Sequence, residues 1–216
     1  MSRKSEEIIK CPKCGEESNF IIWDSINTVL NPEMVDQVKQ GNIFNFICPK
    51  CGEVTQVIYP FLYNMMDKSM MIYYVMEEEV DDTIKMLDSL KELQEKTGVK
   101  YRVVCNPNYL QEKIRIFEDD RDDRIIEIMK LVFEANFVDS PQYNGENYND
   151  MIYLNQDGKK TIAILNDGVI VCGYDASDEV YENFWQLSKE FLDDKDEYLI
   201  DREWAFSYLE KINDAQ

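Results

Sequence analysis

The spacing of apolar residues divides the chain into stretches of different period. Ser18 to Ile26 is apolar and strand-like, and Asn31-Pro32-Glu33 followed by Met34, Val35 and Val38 predicts a short capped helix closed by Gly41. Ile43 to Ile47, Val54 to Tyr59 and Ser69 to Met76 predict three further strands. Between residues 79 and 97 the period changes. Val80, Ile84, Leu87, Leu90 and Leu93 recur among charges, which predicts a helix with one buried stripe ending at Gly98. Val99 to Cys105 predicts a strand. Asn106-Pro107 opens a helix with Leu110, Ile114 and Phe117 on one face, and Asp122-Asp123 opens another through Ile125, Met129, Val132 and Phe133. A polar loop runs from Asp139 to Asp150. Beyond it, Ile152 to Leu154, Thr161 to Leu165 and Val169 to Cys172 predict a β-meander, joined by the hairpin signals Gln156-Asp157-Gly158 and Asn166-Asp167-Gly168. Helices around 181–192 and 204–212 close the chain.

The chemistry lies in the cysteines. Four of the six form two copies of one pentapeptide, Cys11-Pro12-Lys13-Cys14-Gly15 and Cys48-Pro49-Lys50-Cys51-Gly52, with 33 residues between Cys14 and Cys48. Two intervening residues let both thiolates of a pair face one side of a tight turn, and the following Gly supplies the positive φ that the turn needs. Each pair is half a tetrahedron. Soft thiolates suit one Zn²⁺, with iron as the nearest competitor, and four protein ligands leave no position for a catalytic water. The site therefore reads as structural. A thioredoxin-like redox pair is the rival reading of one Cys-x-x-Cys, but that motif sits once, at a helix start, rather than twice in matching knuckles. The architecture expected is α+β: a zinc ribbon with a helical insertion over 8–78, a mainly helical segment over 79–140, and an acidic C-terminal β-meander with two helices over 141–216.

These residues resemble the CpXC family of bacterial and archaeal proteins. The resemblance rests on the paired knuckles, Asn31-Pro32-Glu33, Gly41 with Ile43-Phe44-Asn45-Phe46 before Cys48, and Tyr59-Pro60-Phe61-Leu62-Tyr63. Tyr101-Arg102-Val103-Val104, Tyr109 to Phe117 and Asp122-Asp123-Arg124-Ile125-Ile126-Glu127-Ile128 are similar to its longer members. It makes residues 8–140 one CpXC domain, implies that Cys11, Cys14, Cys48 and Cys51 bind metal, and implies no established activity. Family members often carry His after the Leu-Tyr pair, where this chain has Asn64.

Composition narrows the remaining classes. The chain has no histidine, which removes Ser-His-Asp and Cys-His nucleophile chemistry and imidazole ligands. Its 43 acidic against 23 basic residues give a net charge of −20, which opposes binding to nucleic acid or anionic lipid. Residues 141–216 hold 17 of the acidic and 6 of the basic side chains. The local basic cluster, Arg3, Lys4, Lys10, Lys13 and Lys50, lies by the knuckles and reads as an offset to a dianionic Zn(Cys)₄ centre. The start, Met1-Ser2-Arg3-Lys4-Ser5-Glu6-Glu7, has no apolar leader, and no run approaches the ~20 residues that span a bilayer. A cytosolic location is expected.

Three candidate functions follow. The first is a non-enzymatic zinc ribbon that binds a protein partner or a second copy of itself, with Met70, Met71, Tyr73 and Tyr74 as an adaptable surface, although a strand apolar on both faces is more simply one covered on both sides by the chain's own helices. The second is a nucleic-acid-associated zinc ribbon. The third is a metal-dependent hydrolase using Glu118, Asp119, Asp120, Asp122 and Asp123 as divalent-ion ligands, although acidic residues favour helix starts in any case. Cys105 and Cys172, in apolar strands, are expected to be buried and inert.

Overall fold

The computed structural model describes residues 2–141, 143–145, 148–192 and 197–214. Part of the polar loop expected over 139–150 (residues 142, 146 and 147) lies outside the described residues. Among them the fold is mixed α and β, with seven α-helices and three sheets, and it divides into two compact units, Met1–Gln111 and Glu112–Gln216.

The first unit begins with a hairpin. β1 (Arg3–Lys10) pairs antiparallel with β2 (Glu17–Asn27) from Arg3↔Ser25 to Lys10↔Glu17. β1 was not expected. Its sequence is mostly polar because it is exposed along nearly all of its length, so it carries none of the alternation that a half-buried strand shows. α1 (Glu33–Lys39) follows, and Gly41 at φ +70° ends it in the left-handed region that glycine adopts without strain. A 3₁₀ turn over Asn42–Phe44 replaces the first half of the strand expected from Ile43, because the chain is still turning out of Gly41. Only β3 (Asn45–Ile47) is extended, and it pairs with β4 (Val54–Gln56) in a second, smaller hairpin.

β5 (Phe61–Met65) then joins β2 in parallel over Ser25–Asn27, and β6 (Met70–Tyr74) pairs antiparallel with β5. The helix expected from 79 to 97 is two, α2 (Val80–Asp88) and α3 (Lys91–Thr97). Between them Ser89 bonds its hydroxyl to the Met86 carbonyl, a local competitor to the helical ladder. β7 (Lys100–Val104) pairs in parallel with β6, completing the order β1-β2-β5-β6-β7. The core is aromatic. Phe44 lies 5.4 Å from Tyr59, 6.0 Å from Phe61 and 5.5 Å from Tyr74, ring centre to ring centre.

The second unit takes in the later part of α4 (Pro107–Glu118), which straddles the division, and α5 (Asp123–Val138). Asp122 caps α5, its carboxylate accepting from the Arg124 amide at 3.0 Å. The meander forms as the sequence predicts: β8 (Asp150–Gln156), β9 (Lys159–Asn166) and β10 (Val169–Asp175) lie in the order β10-β9-β8. At both turns an Asp-Gly pair has positive φ (Asp157 and Gly158, Asp167 and Gly168), the conformation a two-residue hairpin turn requires. α6 (Asp178–Ser188) and α7 (Arg202–Asp214) follow.

A charged seam runs through this unit. Lys113 sits 3.0 Å from Asp123 and 3.3 Å from Glu127 and donates to the Ile200 carbonyl at 2.6 Å. Lys130 sits 2.7 Å from Glu112 and 3.2 Å from Glu127. All five charged side chains are buried. Burial pushes the Glu112 carboxyl above its ordinary range against the pull of Lys130.

Candidate metal centre

Two hairpins of the first unit each present a knuckle at the tip. The β1–β2 hairpin carries Cys11 and Cys14, and the β3–β4 hairpin carries Cys48 and Cys51. The two loops are built alike. The Cys11 amide donates to the Glu16 carbonyl at 2.8 Å and the Gly15 amide to the Cys11 carbonyl at 2.9 Å. The Cys48 amide likewise donates to the Glu53 carbonyl and the Gly52 amide to the Cys48 carbonyl, both at 2.9 Å. Gly15 and Gly52 take φ of +73° and +71°, so both knuckles use the left-handed glycine that the spacing predicts.

The four sulfur atoms converge within 4.8 Å of one another. Cys11 Sγ lies 3.7 Å from Cys51 Sγ, and Cys14 Sγ lies 3.6 Å from Cys48 Sγ. A tetrahedron with metal–sulfur bonds of about 2.3 Å has edges of about 3.8 Å. Both distances are far longer than a disulfide and match that edge, so the donor set fits one tetrahedrally coordinated ion. Cys11 and Cys48 are buried beside Phe46, with Ile9, Phe20 and Val57 packed around them, whereas Cys14 and Cys51 face solvent.

The electrostatics of the cluster point the same way. Burial alone would raise the Cys48 thiol, but hydrogen bonds from the Cys51 and Lys50 amides and from the neighbouring thiols hold it down at about 7. At Cys51 the Glu53 amide acts downward and is outweighed by desolvation and by the other three thiols, which push the group up to about 12. Four thiolates this close repel one another too strongly to ionise together without a cation between them.

Two ion pairs cross between the knuckles. Lys13 of the first bonds Glu53 of the second at 2.8 Å, and Lys50 of the second bonds Glu16 of the first at 2.9 Å. Glu16 and Glu53 were not among the expected site residues. The signal was present, since the repeat is a hexapeptide, Cys-Pro-Lys-Cys-Gly-Glu, in both copies. The ammonium pKa is raised in each case, first by the glutamate it bonds and further by an exposed thiol of the opposite knuckle, Cys51 for Lys13 and Cys14 for Lys50. Of the other basic residues expected nearby, Arg3 pairs with Asp24 and Lys4 stacks over Trp23. Arg3, Lys13 and Lys50 of the expected cluster are therefore engaged in ion pairs, while Lys10 is exposed.

Other expected residues are placed differently. Met70 and Tyr74 are not surface residues, at 5% and 1% exposure. β6 is an interior strand between β5 and β7, and Met70, Ile72 and Tyr74 face the aromatic core. Met71 and Tyr73 on the opposite face are half-buried. Cys105 is exposed just past the end of β7, and Cys172 is half-buried, which corrects the expectation of two buried thiols.

The acidic run disperses into separate structural roles. Asp119 accepts from the Tyr153 hydroxyl at 2.7 Å and from Asn155, Asp122 caps α5, and Asp123 pairs with Lys113. Asp120 occupies a left-handed turn at φ +54°. Among the described residues the four cysteines are the one group of three or more Cys, Asp or Glu side chains whose donor atoms meet closely enough to hold an ion. No described helix is long and apolar enough to cross a membrane.

No curated protein and no solved structure matches the chain. Residues 9–130 match the family described as CpXC protein, a span that takes in both knuckles, every strand of the five-stranded sheet except most of β1, and the helices up to the middle of α5. Because that match covers more than half of the chain, the protein belongs to the CpXC family.

Proposed function

We propose that this is a cytosolic zinc-binding protein in which one structural Zn²⁺, held by Cys11, Cys14, Cys48 and Cys51, closes a zinc ribbon that acts as a protein-interaction or self-association module. The observation that carries this reading is the closed tetrathiolate cluster: four convergent sulfur atoms satisfy a tetrahedral ion and leave no position for substrate or water. A tetrahedral four-thiolate site suits zinc and iron alike, and the structural role proposed here favours the redox-inert Zn²⁺.

Catalysis needs an open metal position or a nucleophile beside a base, and neither accompanies the cluster. Interaction needs accessible apolar surface. The cross-strand pair Ile47 and Val54, 63% and 56% exposed, offers it one residue from Cys48 and two from Gly52. This pair, rather than Met70 and Tyr74, is the surface on which the interaction reading rests.

Elemental analysis of protein purified without chelator is the test. One zinc per chain with all four thiols protected from alkylation is expected, and near-zero zinc with four reactive thiols overturns the metal reading. Ile47→Asp with Val54→Asp should abolish co-purifying partner or self-association at unchanged zinc content. Unchanged association would remove this pair from the interface.

A further inference from the structure

The two ion pairs between the knuckles do something the four ligands do not. Cys11 and Cys48 are shielded by Phe46 and its neighbours, so an attacking chelator or thiol reagent has to come from the side of Cys14 and Cys51, which are exposed. On that side the sequence places, in each hexapeptide, one lysine between the cysteines and one glutamate after the glycine. Neither lysine bonds the glutamate of its own knuckle. Lys13 reaches 2.8 Å to Glu53 and Lys50 reaches 2.9 Å to Glu16, so each pair ties one loop to the other.

We infer that Lys13–Glu53 and Lys50–Glu16 form a reciprocal charge clasp that controls how fast a bound metal ion leaves through the exposed Cys14–Cys51 side. The inference rests on the metal-binding reading of the same four cysteines. Loss of the ion requires the knuckles to part or one exposed thiolate to swing away. Each clasp opposes the parting, because its ion pair bridges the two surfaces that must separate. Glu16 and Glu53 are positioning residues here, acting through the lysines and not as ligands. The pairs are solvent-exposed, with side-chain exposures of 63% and 38% for Lys13 and Glu53 and 62% and 40% for Lys50 and Glu16. Exposed pairs of this kind change an equilibrium by up to about fivefold each and are weakened by salt. The clasp therefore tunes lability and leaves the choice of ligands untouched.

The experiment loads the full-length protein with Co²⁺, whose visible bands report an intact tetrahedral tetrathiolate, and follows its release to excess EDTA at low and high KCl. Wild type, Glu16→Gln/Glu53→Gln and Lys13→Met/Lys50→Met are compared. Both variants should bind one ion with the wild-type spectrum and release it several-fold to about twentyfold faster at low salt. Release from wild type should speed up with KCl, while release from the variants should not. Equal rates in wild type and variants overturn the clasp, as do faster variants that keep the wild-type salt dependence. A wild-type protein that takes up no ion overturns the metal reading itself, which separates the two failures.

Discussion

At the level of single residues, charge decides what each position tolerates. The thiols span a wide range, with Cys48 at about 7, Cys51 at about 12, and Cys14 raised, the downward pull of the Glu16 amide and the Cys51 thiol being outweighed by desolvation and the Cys48 and Cys11 thiols. At pH 7.5 Cys14 and Cys51 are therefore protonated in the metal-free protein, and binding an ion must displace their protons. Calorimetry in buffers of different ionisation enthalpy should find at least two protons released per ion, and affinity should fall steeply as the pH is lowered. Affinity independent of pH between 6 and 8 would contradict a thiolate site.

The buried seam makes a second residue-scale prediction. Lys130 is held between Glu112 and Glu127, so Lys130→Met leaves both carboxylates without it and should destabilise the second unit by ~3–5 kcal/mol in urea, read by Trp185 and Trp204 fluorescence. Glu112 adds a pH dependence. Because its folded pKa is raised by burial, the stability it contributes is full below the ordinary glutamate value of 4.5 and is lost as the pH rises through the elevated folded value. Glu112→Gln should remove that loss, flattening the stability profile on its alkaline side.

At the level of elements, local chemistry fixes some features closely. The second knuckle depends on Gly52 at φ +71°, where an added Cβ would meet nothing within 4 Å, so the penalty is backbone strain alone. Gly52→Ala should cost ~1–2 kcal/mol and weaken metal binding by about five- to thirtyfold without altering the spectrum of the Co²⁺ form. Asp122 does for α5 what Gly52 does for the knuckle. Losing its bond to the Arg124 amide in Asp122→Ala should cost ~1 kcal/mol of the second unit's stability. These elements were legible because glycine, a capping carboxylate and Asp-Gly turns act within a few residues. The single helix expected over 79–97 failed for the complementary reason: its apolar stripe continues across Ser89 and Leu90, while the bond from Ser89 to Met86 breaks the ladder there.

At the level of the whole molecule, the four-cysteine cluster belongs to one unit and the buried Lys113–Lys130 ion-pair seam to the other. Chelation should therefore unfold the knuckle hairpins, reported by Trp23, while the second unit keeps its own cooperative transition, reported by Trp185 and Trp204. A single coincident loss of both signals would contradict this. With a net charge of −20 and with Arg3, Lys13 and Lys50 already in ion pairs, the chain should bind duplex DNA weakly at physiological salt.

The sequence by itself determined the four-cysteine cluster, the meander, the cap of α5 and the mixed class, because each is written in spacing or in residues whose conformational preference acts locally. Tertiary structure decided which strands meet. β1 and β5 carry weak patterns, and the parallel pairings of β2 with β5 and of β6 with β7 depend on long returns of the chain that no local period encodes. It also decided which face of β6 is covered, hiding Met70 and Tyr74 under the aromatic core. It brought Glu16 to Lys50 and Glu53 to Lys13 across the 33 residues between the knuckles. The difference is physical: a turn is set by the φ of its own residues, whereas burial and ion pairing are properties of whatever the rest of the chain places opposite.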